Sequence, residues 1–179
     1  MIFLVLYIFG IICALGLGVL ASLSDLKGMV IPNYISAIVV MAFIFSYTGA
    51  ALGGVEIFSS LRVHLLCGGI FFIVTFIMFA MKIIGGGDAK LASAFSFWMG
   101  AHESLMAYMF YMAIGGAALA VVAVFLKKVK PLNIKNEKSW VSRVQNGESV
   151  VPYGLPIAFG AFAGLKEGGF LSYELFFLF

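Results

Sequence analysis

Long apolar stretches separated by short polar connectors set the pattern of this chain. The apolar runs fall at about 2–23, 31–53, 63–81, 89–101, 104–126 and 150–165, and an apolar tail, FLSYELFFLF, follows. A helix rises about 1.5 Å per residue, so most of these runs are long enough to cross a hydrocarbon core about 30 Å thick. The connectors are SDLKGMV (24–30), GVEIFSSLR (54–62), KIIGGGDAK (82–90), a turn at 101–104 and a polar stretch at 127–149. Only 127–149 resembles an aqueous segment, either a loop or a small amphipathic surface element. No repeat or low-complexity tract is present.

Composition sharpens this reading. Of 179 residues, 63% are apolar or aromatic and 11% are charged, against about 45–50% and about 25% in a soluble domain. Mean hydropathy is +1.12. The chain is therefore expected to be an all-α polytopic membrane protein, one transmembrane domain over residues 1–179 with about six spanning helices. A large soluble catalytic domain is excluded. The first run has no basic segment before it and no small-residue cleavage site after it, so it reads as a retained span. Cys13 and Cys67 lie inside apolar runs and form no CxxC pair, which excludes a zinc knuckle and favours buried, unreactive thiols.

The 13 residues of 89–101 would reach only about 20 Å as a helix, so the distribution of basic residues decides whether they cross. With six crossings, Lys27, Lys82, Lys90, Lys127, Lys128, Lys130, Lys135, Lys138 and Arg143 share one face, against Arg62 and Lys166 on the other. If 89–101 turned back, the six basic residues of 127–149 would move opposite Lys27, Lys82 and Lys90. Basic residues favour the cytoplasmic side. Six crossings are therefore expected, with both termini extracytoplasmic.

Most carboxylates sit in polar connectors or at span ends, where solvation is the ordinary role; Glu174, in the tail, is ambiguous. Asp25 and Asp88 differ. One closes the first span, the other opens the fourth, and an ionisable group at that depth is costly unless paired or hydrated. Spans two and three go out and back, so the two aspartates return to one face. Two carboxylates in one partly desolvated site tend to share a proton. One can then take a proton from water while the other hydrogen-bonds a scissile carbonyl. Asp25 at a helix C-terminus would be the acid and Asp88 at a helix N-terminus the base. The simpler alternatives are an N-cap at Asp88 and an interfacial stop at Asp25. Gly85, Gly86 and Gly87 permit positive φ, a close backbone approach and an unshielded Asp88. Pro32 suits the first turn of a helix.

Asp25 followed by Ile31-Pro32-Asn33 resembles the D-x5-I-P-N signature of type IV prepilin peptidases. Gly85-Gly86-Gly87-Asp88-Ala89-Lys90-Leu91 is similar to the GxGD-x-K-L motif of GxGD aspartyl proteases. Pro152-Tyr153-Gly154-Leu155-Pro156 resembles a proline- and glycine-rich element near that family's C-terminus, although Leu155 separates its Gly and Pro. The resemblance runs from about residue 2 to 165. It implies a prepilin peptidase of the cytoplasmic membrane of a prokaryote, with Asp25 and Asp88 catalytic. Gly85, Gly86, Gly87, Lys90, Pro32, Asn33, Pro152 and Gly154 would support the dyad or bind substrate. Lys90 would tune the dyad or contact an acidic group, or else simply snorkel. The implied substrate is a pilin-like precursor with a short basic leader, cut on the cytoplasmic side. Without CxxC pairs the chain resembles the peptidase-only branch of Flp systems and archaeal preflagellin peptidases, so no methyl transfer is expected. No cofactor, metal or nucleic acid is implied; membrane lipid and pilus assembly proteins are the further partners.

Two other classes fit the same residues. A small ion-coupled transporter or channel subunit would use the aspartates for cations or protons, but such sites usually lie near the bilayer midplane on broken helices. A catalytically silent pilus assembly factor is the other. A metalloprotease is disfavoured because His64 and His102 stand alone, and His64 with Cys67 reads as core packing.

Overall fold

A computed structural model of the chain describes residues 1–101, 103–129, 136–172, 174 and 177. His102, Lys130, Lys135 and residues 173, 175, 176, 178 and 179 of the tail lie outside the described residues. The elements are α1 (Ile2–Gly28), α2 (Asn33–Gly53), α3 (Leu61–Ala80), α4 (Gly86–Met99), α5 (Glu103–Lys128), α6 (Trp140–Gln145) and α7 (Gly154–Glu167). No strand occurs among the described residues. Four helices, α1, α2, α3 and α5, are long and apolar enough to cross a membrane. The two remaining expected spans are shorter. Helices α4 and α7 have 14 residues each, about 21 Å of rise.

Shortness goes with burial in α4. Nine of its residues are buried, and it packs against α2, α3, α5 and α7. Helix α1 packs on α2 and α7, while α5 packs mainly on α7. Phe43, Leu91, Phe95, Trp98, Ile157 and Leu165 fill the resulting core. Small residues let backbones approach: Gly10 of α1 sits against Ala42 and Ser46 of α2, and Gly160 and Gly164 of α7 against α5. Most buried polar side chains find partners, as an apolar surrounding demands, although Ser36 Oγ and His64 Nε2 have none among the described residues. Trp98 Nε1–H donates to Val39 O (3.1 Å), Tyr108 O–H to Ala92 O (3.0 Å) and Tyr7 O–H to Phe170 O (2.7 Å). His64, 1% exposed, donates from Nδ1 to Phe97 O at 2.7 Å among the rings of Phe43, Tyr47 and Phe58. It is the packed histidine the sequence suggested.

Several boundaries differ from the apolar runs. Helix α1 continues past residue 23 to Gly28, because a helix ladder carries on through polar residues that an apolar pattern does not register. Helix α7 starts at Gly154, four residues after its apolar run opens, and 148–152 has no regular structure. Pro32 is the N-cap of α2, not its first helical residue. The 127–149 stretch contains the short helix α6. There Ser139 Oγ accepts from Ser142 N–H (3.4 Å), and Trp140 and Val144 pack on Ala123 and Leu26.

Candidate active site

The end of α1 and the starts of α4 and α7 build one site. Asp25 stands on the last full turn of α1 and is only 3% exposed. Its carbonyl accepts Met29 N–H at 2.7 Å, and the left-handed Met29 ends the helix. Its side-chain Oδ2 accepts Gly154 N–H at 2.8 Å. Gly154 is the first residue of α7, so the carboxylate occupies one of the free N–H groups that every helix start leaves. Ser22, one turn before Asp25, shares its hydroxyl proton between Gly18 O (2.8 Å) and Gly154 O (3.1 Å). Buried Pro152 leads into this turn.

Asp88 is the third residue of α4, and its Oδ2 accepts the N–H of the N-cap Gly85 at 3.2 Å. The expected N-cap role thus falls to Gly85, with Asp88 reaching back to it. The positive φ expected of the glycines is absent: Gly85 has φ −69° and Gly86 and Gly87 are helical. They provide room instead. A Cβ on Gly85 would stand 2.7 Å from Asp88 Oδ2, and one on Gly87 3.1 Å from Ile31 Cβ and 3.3 Å from Ile31 O. The triple glycine therefore keeps Asp88 unshielded and lets α4 begin against the α1–α2 connector. Lys90 contacts neither aspartate. Its Nζ donates to Asn33 Oδ1 at 2.9 Å, tying the N-terminal part of α4 to the first residue of α2.

Both aspartates line one open cavity of about 700 Å³. No hydrogen bond joins the two carboxylates among the described residues. Each has the same kind of partner, a backbone N–H at a helix start, so helix dipoles do not rank them as acid and base. Apart from Ile31 and Tyr153, which lie in the quoted motifs, the rest of the wall was not singled out by sequence as part of a site. Met29, Val30 and Ile31 come from the α1–α2 connector, Phe79 from the end of α3, Lys82 from the α3–α4 connector, Arg143 from α6, and Ser149, Val150, Val151 and Tyr153 from the stretch leading into α7. Trp140 Nε1–H, donating to Val150 O at 2.9 Å, holds that stretch in place. Arg143 is bound to Glu148 (Nη2–Oε2 2.6 Å, Nε–Oε2 2.8 Å). The guanidinium holds the Glu148 carboxyl below the usual carboxylate range. Apart from Ile31 and Tyr153, only tertiary proximity marks these residues, since their types recur throughout the connectors.

Residues 11–122 match the sequence model described as the type IV leader peptidase family. That span is more than half the chain and contains Asp25 and Asp88, while Gly154 lies beyond it. Neither the curated proteins nor the solved structures contain a match. The chain belongs to the type IV leader peptidase family.

Proposed function

We propose that this chain is a membrane-embedded aspartyl endopeptidase that removes the leader from type IV pilin-like precursors, of the Flp-like type that the motif resemblance implies. The observation that carries this reading is the meeting of Asp25 and Asp88 on one open cavity, each at a helix end. With one proton between them, one carboxylate takes a proton from water and the water oxygen attacks the scissile carbonyl carbon. The protonated partner donates to the carbonyl oxygen. Collapse of the tetrahedral intermediate returns one hydroxyl proton to the second carboxylate and breaks the C–N bond, and the leaving nitrogen takes the proton held by the first carboxylate. Either aspartate can take either role. Gly154 and Gly85 hold the two carboxylates, Gly86 and Gly87 let α4 begin close against Phe79 and Ile31, and Lys90 with Asn33 fixes the spacing between α4 and α2. No metal or cofactor enters the scheme.

In this reading the aspartate end of the bundle faces the cytoplasm of a prokaryotic inner membrane. Six helices cross, and both termini are extracytoplasmic. Helices α4 and α7 cross as short helices surrounded by longer ones. A basic leader would remain on the cytoplasmic side, and pilus assembly proteins would receive the product. The transporter alternative gains no support, because the aspartates stand at one end of the bundle rather than on a helix broken at mid-depth.

The test is cleavage in liposomes. Purified protein is mixed with a pilin-like precursor, beside folded Asp25→Asn and Asp88→Asn variants. Each variant is expected to lose at least about 10²-fold in rate. Leader removal that survives either substitution rejects the dyad, and no removal by the wild type rejects the peptidase.

A further inference from the structure

An apolar crease follows α1 beside α7 and ends at the aspartate site. Near Asp25 it is a hollow of about 370 Å³ with Leu15, Ser22 and Leu26 of α1 on one wall and Leu155, Phe159 and Phe162 of α7 on the other. Gly18 and Phe95 lie at its floor, and a Cβ on Gly18 would stand 3.3 Å from Ala158 Cβ. Farther along, Leu4, Ile8 and Ile11 line a second hollow of about 150 Å³ against Phe170. No charged residue lines either hollow.

Along α1, Leu4, Ile8, Ile11, Leu15, Gly18, Ser22 and Leu26 recur at intervals of three and four, and Tyr7, Val19 and Leu23 broaden the same face of the helix. From Leu4 to Leu26 that face extends about 33 Å, the length of one membrane-spanning helix. Ser22 and Leu26 flank Asp25 in the sequence, and Leu155 follows Gly154, whose N–H holds the Asp25 carboxylate. A helix laid in the crease would therefore end beside the candidate catalytic aspartate. Lipid chains wet any apolar wall. The helical spacing, the length of a single span, Gly18 at the floor and the end point at Asp25 suit a peptide helix.

We infer that the α1–α7 crease is the docking surface for the apolar helix of the precursor, which delivers the bond at that helix's cytoplasmic end to Asp25 and Asp88. This rests on the peptidase reading above. The α3 surface, equally apolar, plays no part in docking.

Photo-crosslinking in liposomes tests it with the full chain. The probe is a synthetic precursor made of a leader containing lysine and arginine, one glycine and an apolar helix of about 20 residues. A photoreactive residue replaces Val19 or Phe162 on the crease, or Ile73 on α3, all of them exposed. The crease positions are expected to crosslink to the precursor and Ile73 is not. A Val19→Trp variant, which narrows the crease, is expected to raise KM about tenfold with kcat unchanged, whereas Ile73→Trp is neutral. Wild-type cleavage is read in the same liposomes. Cleavage with crosslinks confined to α3, or with none at the crease, overturns the docking surface alone. Absence of wild-type cleavage overturns the peptidase reading, and this inference with it.

Discussion

A methyl group on residue 154 would stand 3.0 Å from Asp25 Cβ and 3.1 Å from its Oδ2, closer than ordinary contact. Gly154→Ala is therefore expected to displace the Asp25 carboxylate and lower kcat by about ten- to hundredfold, with the variant still folded by circular dichroism. Gly87→Ala is expected to act alike from the other side, by pushing the start of α4 away from Ile31. Gly16 supplies the contrast. Nothing lies within 4 Å of its missing Cβ, so Gly16→Ala leaves activity intact and stabilises α1 by up to about 1 kcal/mol. Cleavage rates and thermal midpoints of the three variants, measured together, separate a lack of room at the site from a general dislike of alanine. Equal losses in all three would reject the steric account. The glycines beside Asp88 stand out in the sequence, but what they do in the fold does not. Spacing along the chain suggested loop freedom, whereas the folded chain uses them for room.

Elements meet the site through their ends. Lys90 and Asn33 are exposed, and their hydrogen bond joins the starts of α4 and α2 across 57 positions of sequence. Such a bond contributes about 0.5–1.5 kcal/mol, so Asn33→Ala and Lys90→Met should each lower activity by about threefold to tenfold. Because both remove one interaction, the double variant should be no worse than the poorer single variant. Additive losses would show that the two residues act separately. Helix α4 illustrates the limit of an apolar run. Its composition marks it as membrane material, but only packing explains its length. Four helices contact it, and its polar Ser93 meets Thr75 of α3 (Oγ–Oγ1 2.9 Å) instead of lipid.

At the scale of the molecule, the proposed six crossings would place Lys138 and Glu56 on opposite sides of the membrane. In a Cys13→Ala, Cys67→Ala background, Lys138→Cys is expected to react with an impermeant maleimide only in inverted vesicles. Glu56→Cys should react only in intact cells. Labelling of both from one side would overturn the six-span topology and the cytoplasmic assignment of the aspartate end. The Arg143–Glu148 pair gives a smaller prediction about pH. Its depressed carboxylate stabilises the connector above the ordinary Glu range, and that contribution is lost as pH falls through the folded value. The pair is half-exposed, where ion pairs contribute little. Glu148→Gln should therefore leave the thermal midpoint nearly unchanged at pH 7. A large drop would show that the connector leading into α7 depends on that pair.

Hydrophobic runs by themselves determined that the chain is helical and made for a membrane, because apolar stretches of about 20 residues have no other stable use. The two short motifs marked Asp25 and Asp88, because aspartates are costly at such depth. Tertiary structure decided the rest. It set where α1 and α7 begin and end, and it seated Gly154 on Asp25 from 129 positions away. It also brought Arg143 and Val150 to the cavity wall. Contacts of that kind depend on which helices pack together, and a one-dimensional pattern records a helix's faces without naming its neighbours.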